Sequence, residues 1–145
     1  MPVLKLKVFG HKYGQKKERG QSMVEFVLVL PIFLILVFGI IDFGMGFHAW
    51  LTVTNSAREG ARLGAVRGTD AQIIQRVQDT SDTLDAANMT VTVTNAQGDP
   101  GESVVVDIDY DYTLITPLDS VLGLVSGGAV GPTITFSSSA DMRLE

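Results

Sequence analysis

Cysteine is absent from all 145 residues, which excludes a disulfide framework and any thiolate metal site. Histidine occurs only at His11 and His48, and no nucleophile–base–orienter set can be assembled around either. Ser137, Ser138 and Ser139 have no base nearby in sequence, and no phosphate-binding loop is present. These shortages set the expectation of a chain that is not an enzyme and holds no cofactor and no metal. Cations are scarce in the body of the chain: beyond Asp70 only Arg76 and Arg143 remain. Between Phe26 and Ile41 there is no charge of either sign.

What charge there is lies unevenly. Residues 1–20 hold Lys5, Lys7, Lys12, Lys16, Lys17 and Arg19 against Glu18, a net of +5, so the rest carries -10 of the overall -5. The head suits a negatively charged membrane face, whereas the acidic body should repel nucleic acid and anionic lipid.

The uncharged run FVLVLPIFLILVFGII rises about 24 Å as a helix, short of a hydrocarbon core of roughly 30 Å. Extending it to Met23–Phe47 gives about 37 Å and takes in Glu25 and Asp42, each then near an interface rather than at the centre. A single span is therefore expected, with membrane lipid as its partner. A helix buried in a soluble core is the alternative, but so small a core has little use for a helix this uniformly apolar. No small-residue cleavage site follows a short apolar run, so the segment is not an ordinary secretory signal. The leader cations outnumber Arg58, Arg62 and Arg67 beyond the run, which favours an N-terminus inside and a C-terminus outside.

Ser22 and Glu25 form an S-x-x-E helix start. Trp50, Val53, Ala57, Ala61 and Ala65 continue the helical spacing, so one helix from about Ser22 to Val66 is expected, bent at Pro31 and closed at Gly68. Thr69 and Gln72 form a second capping pattern, opening a shorter helix to about Ala87. The period then changes. Met89–Thr94 alternates, NAQGDPG from Asn95 to Gly101 reads as a turn, and Ser103–Ile115 alternates again. Thr116-Pro117 opens a short helical connection ending at Gly127-Gly128, and Thr133–Arg143 reads as a last strand. The fold class is α+β: a long N-terminal membrane-spanning helix that continues into a small domain with a second helix and a roughly three-stranded antiparallel sheet. Residues 1–20 form a basic cytoplasmic leader, 21–47 the transmembrane helix, and 48–145 the extracytoplasmic domain, which includes the outer half of the long helix.

The text RGQSMVEFVLVLPIFLILVFGIIDFGMGF followed by NSAREGARLGAVRG resembles the TadE-like proteins of the tight-adherence (Tad) pilus system. The matching features are Gly20, Val24-Glu25-Phe26, Pro31, Asp42-Phe43-Gly44 and the block Ala57–Arg62, over about a third of the chain. The closing SSSADMRLE resembles the family's last strand. The resemblance implies a pseudopilin or minor pilin, related to type IV pilins, in the bacterial inner membrane. Its implied partners are a prepilin peptidase, which would cut between Gly20 and Gln21, and other pilins or pseudopilins met through the N-terminal helix. Pilins commonly begin the mature chain with Phe or another apolar residue, whereas this one would begin with Gln21. Retention of the leader would make the chain an uncleaved bitopic scaffold of the pilus machinery. A membrane-anchored periplasmic binding or hydrolytic domain is the reading from another class, and the missing catalytic constellation counts against it.

Three sets of residues carry these readings. Glu25 would pair with the α-amine of Gln21 on a neighbouring subunit, since a carboxylate in a low-dielectric bundle needs a partner, or would simply cap its own helix. Ser56, Gly60, Gly64 and Gly68 form a small-residue row that lets another backbone come close, either the chain's own sheet or a neighbouring helix. Asp107, Asp109 and Asp111 share one strand face. Calcium-loop spacing fails there, with Tyr112 where Gly is needed and Leu118 where Glu is needed, so the face reads as solvated and edge-protecting.

Overall fold

The computed structural model describes residues 18–126 and 133–145. Most of the basic leader, up to Lys17, and the Gly127-Gly128 end expected for the connection lie outside the described residues. The chain divides into two units, one ending at Leu34 and one running Ile35–Glu145. Helix α1 spans Glu18–Ala65 and continues through Pro31. In the first unit Met23, Phe26, Leu28 and Ile32 are all more than half exposed. An α1 window long and apolar enough to cross a membrane has none of its residues buried. Because α1 begins at Glu18, Ser22 lies inside the helix rather than at its N-cap. The capping box expected from Ser22 and Glu25 is therefore not the helix start in this chain.

The second unit has the expected α+β composition. After α1 come α2 (Asp70–Thr80), a 3-10 turn at Ala86–Asn88, β1 (Met89–Thr94), β2 (Ser103–Thr113), α3 (Leu118–Ser126) and β3 (Thr133–Arg143). The strands form one antiparallel sheet in the order β1-β2-β3. Met89 pairs with Tyr110 on one side of β2, and Ser103 pairs with Arg143 on the other.

Alternation along β2 puts Val104, Val106, Ile108, Tyr110 and Tyr112 on the buried face. Opposite them α1 offers only small or β-branched residues, Ala49, Val53, Ala57 and Ala61, and α2 adds Ile73 and Val77. Each fully buried Ile or Val contributes about 1.5–3 kcal/mol. The buried row passes through Ala49 rather than Trp50, which is 41% exposed.

The ends of the helices depart from the sequence reading in instructive ways. Gly68 does not supply the left-handed residue that closes α1; Arg67 does, with φ 66°. The Gly68 N–H donates to the Leu63 carbonyl and the Arg67 N–H to that of Gly64, the two bonds of a Schellman cap. The Arg67 guanidinium donates to the Gly98 carbonyl (2.9 Å) and to that of Glu145 (3.1 Å), which offsets the strain of an L-residue there. Gly68 is needed for a different reason: a Cβ there would lie 2.9 Å from the Leu63 carbonyl oxygen.

Thr69 and Gln72 do form a capping box on α2. However, α2 stops at Thr80, well short of Ala87. The Ser81 hydroxyl donates to the Val77 carbonyl at 2.7 Å and Thr80 to that of Arg76 at 2.9 Å. Such side-chain bonds compete with the helical ladder.

Candidate functional site

Gly20, Gln21 and Glu25 lie in the first turns of α1. Among the described residues nothing lies within 4 Å of where a Cβ on Gly20 would stand. Gln21 donates its side-chain amide to the Glu25 carboxylate at 3.1 Å, one turn on. This brings Gln21 and Glu25 together within one chain through a side chain.

The small-residue row belongs to the second unit. Ser56 is fully buried. A Cβ on Gly60 would stand 2.8 Å from Val77 Cγ2 and 3.4 Å from Val106 Cγ1, and one on Gly64 would stand 2.9 Å from both methyls of Val104. Gly60 and Gly64 thus face α2 and β2 of their own chain at closest approach, while Gly68 lies beyond the helix end. Valine is stiff at χ1 and cannot yield cheaply. Gly60→Ala and Gly64→Ala should each destabilise the domain by about 1–3 kcal/mol, measured as a lower thermal midpoint of the detergent-solubilised chain. Ser56→Ala should act in the opposite direction. The Ser56 hydroxyl is buried without a hydrogen-bond partner, so its removal should stabilise by about 1 kcal/mol in the same melt.

Asp42 holds a buried position that its apolar sequence context did not disclose. It is only 4% exposed, and its side chain reaches across to the segment after β2. Its Oδ1 accepts from the Ile115 N–H (3.0 Å) and the Thr116 N–H (3.3 Å), and its Oδ2 accepts from the Thr116 hydroxyl. The Tyr112 hydroxyl donates to the Asp42 carbonyl at 3.4 Å. One carboxylate thereby satisfies three donors where the chain turns from β2 towards α3. Burial, and then the nearby negative charge of Asp42, pushes the Tyr112 phenol above its ordinary value. An acid inside an apolar stretch was the available signal, but its partners are 73 and 74 residues away.

Beside Asp42 lies a cavity of ≈ 530 Å³, walled by Phe43, Phe47 and Trp50 of α1 and by Tyr112, Ile134 and Phe136 of the sheet. At the other end of the domain Glu102 accepts from the Asn95 side-chain amide and the Asp99 N–H, and these bonds hold its carboxyl below the usual range. Glu59 ties α1 to α2 through Arg76 at 3.3 Å.

Asp107, Asp109 and Asp111 do not protect an edge, because β2 is the central strand. Asp109 and Asp111 bond across the strands to hydroxyls instead. Ser137 donates to Asp109 at 2.5 Å and Thr135 to Asp111 at 2.6 Å. No group of three or more potential metal ligands occurs among the described residues.

Residues 20–62 match a protein-family model described as TadE-like protein. That segment runs from Gly20 through Glu25, Asp42 and Gly60 to Arg62. No curated protein and no solved structure matches the chain.

Proposed function

We propose that this member of the TadE-like family is a pseudopilin or minor pilin that acts, by structure rather than catalysis, in assembly of the Tad (Flp, type IVc) pilus at the bacterial inner membrane. A Tad pilus-related role follows from the family, and the one helix among the described residues that is long and apolar enough to cross a membrane, near the N-terminus, supports a single-pass membrane protein. The observation that carries the finer reading is the arrangement of α1. Its first turns hold Gly20, Gln21 and Glu25, and its side chains Met23, Phe26, Leu28 and Ile32 are exposed and free to pack on lipid or on other pilin helices. A prepilin peptidase would cut after Gly20 at the cytoplasmic face, where the basic leader holds the chain. The new α-amine of Gln21 would then meet Glu25 of a neighbour.

One observation favours a second reading, the uncleaved scaffold: α1 begins at Glu18, so the Gly20–Gln21 bond lies within a helical turn. Topology is common to both readings and is tested first. The chain has no cysteine, so single cysteines at Lys12 and Gln97 report cleanly. Gln97 should label from outside the inner membrane and Lys12 only from the cytoplasm, as the leader charge of +5 dictates. Labelling of both from one side would end the single-span account.

A further inference from the structure

The part of α1 nearest the sheet carries more exposed apolar surface than a water-facing helix should. Phe43, Phe47 and Trp50 are 77%, 50% and 41% exposed, and their rings are in contact, with centroids 6.4 Å and 5.6 Å apart. They form one wall of the cavity of ≈ 530 Å³, with Tyr112, Ile134 and Phe136 opposite. The apolar surface continues beyond the helix. Ile115 is 60% exposed and Ile134 46%, and α3, LDSVLGLVS, has Asp119 as its sole charge. The one carboxylate lining the cavity, Asp42, already has its oxygens engaged by Ile115 and Thr116. The walls therefore offer apolar contact and little else.

We propose that this cavity and its rim face lipid: the end of the domain bearing Ile115, Ile134 and α3 is seated in the interfacial layer of the membrane, with an acyl chain in the cavity. The inference rests on the membrane-spanning reading above and adds to it where the domain stands. Depth is the first reason. A helix covers the hydrocarbon core in about 20 residues, which counted from Glu25 reaches Met45. Phe43, Phe47 and Trp50 thus fall at the far boundary, where aromatic rings collect. Charge is the second. From Gly20 to Trp50 the only acidic side chains are Glu25 and Asp42, and the stretch holds no Lys or Arg. Acyl chains surround any helix at that depth before assembly begins, and an apolar wall requires nothing more of its occupant. Besides Asp42, the polar groups of the described lining are the Tyr112 hydroxyl, bonded to the Asp42 carbonyl, and the indole N–H of Trp50, a residue type that collects at the headgroup level.

The test uses the full chain in vesicles of phosphatidylethanolamine and phosphatidylglycerol that carry nitroxide-labelled acyl chains. Trp50 is the sole tryptophan, and Ile134→Cys gives a single site for a bimane label on the sheet, away from α1. Thr92→Cys, on the exposed hydroxyl-rich face of β1, is the water-facing control. Trp50 and the Ile134 label should both lose at least about half their emission to nitroxides placed near the headgroup, and less to nitroxides at the chain end. The Thr92 label should be quenched by aqueous iodide only. If the chain resists carbonate extraction but the Ile134 label answers to iodide and not to lipid nitroxide, the domain stands clear of the membrane and the proposal fails while the span survives. Lipid quenching at Ile134 that vanishes as protein density rises would assign the cavity to a second copy and overturn the proposal too. A chain that fails to float with the vesicles removes both readings.

Discussion

Glu25→Ala is expected to give a protein that inserts and is processed like the wild type but is missing from pili sheared off the cell surface. The substitution removes a carboxylate from the membrane edge, so insertion of the monomer should be no worse. It also removes the acceptor of the Gln21 side-chain amide, an exposed i,i+4 contact worth only about 0.2–0.5 kcal/mol. What would be lost, on the proposed pseudopilin reading, is the partner for a neighbour's α-amine, a charge pair that would form only after cleavage and only between subunits. In the low dielectric of a helix bundle an unpaired ammonium costs several kcal/mol. Incorporation should therefore fall at least about tenfold, since each 1.4 kcal/mol is a factor of ten. Gly20→Phe should show the opposite pattern, with the 20-residue leader retained and the defect visible in the mass before any assembly step. Wild-type levels of the Glu25→Ala protein in sheared pili would reduce Glu25 to a residue of its own helix.

The second large effect belongs to Asp42. Asp42→Ala leaves two backbone N–H groups and the Thr116 hydroxyl without their acceptor in a partly buried setting. Hydrogen bonds to a charged group are worth about 1.5–3 kcal/mol, and orphaned donors add a desolvation cost. A loss of about 2–4 kcal/mol is expected, which for a domain of this size lowers the melting midpoint by roughly 10–25 °C. Asp42→Asn should be milder, because its amide oxygen can still accept from Ile115 and Thr116 while its NH2 donates to the Thr116 hydroxyl. Equal midpoints for the alanine variant and the wild type, measured on the detergent-solubilised chain, would show that the contact contributes nothing.

The contrast between these two acids shows what the sequence could and could not reveal. Period-2 alternation runs cleanly through Met89–Thr94 and Thr133–Arg143, and both strands occupy those bounds. The capping box of Thr69 and Gln72 was equally legible, because all its partners lie within three residues. The end of α2 was not, since Ser81 and Thr80 bond to carbonyls one turn back while Leu84 stays partly buried and preserves an apparent helical period. Gly68 drew attention as the obvious cap residue. Arg67 takes the left-handed position instead, because its side chain reaches carbonyls at Gly98 and at the last residue, contacts 31 and 78 positions away. Asp42 follows the same rule: an acid in an apolar run is visible, but the donors that explain it are encoded beyond β2. The row Ser56, Gly60 and Gly64 was visible as a close-approach surface. Which surface it approaches depended on Val77, Val104 and Val106, whose placement requires the sheet.

The account turns on a chain that is cut before it assembles, and intact mass tests that directly. The protein should be extracted from the membranes of cells with an active prepilin peptidase and weighed whole. A mass that begins at Gln21, lacking Met1–Gly20, is the predicted result. A mass that retains Met1–Gly20 would contradict the pseudopilin reading and leave an uncleaved membrane scaffold in its place.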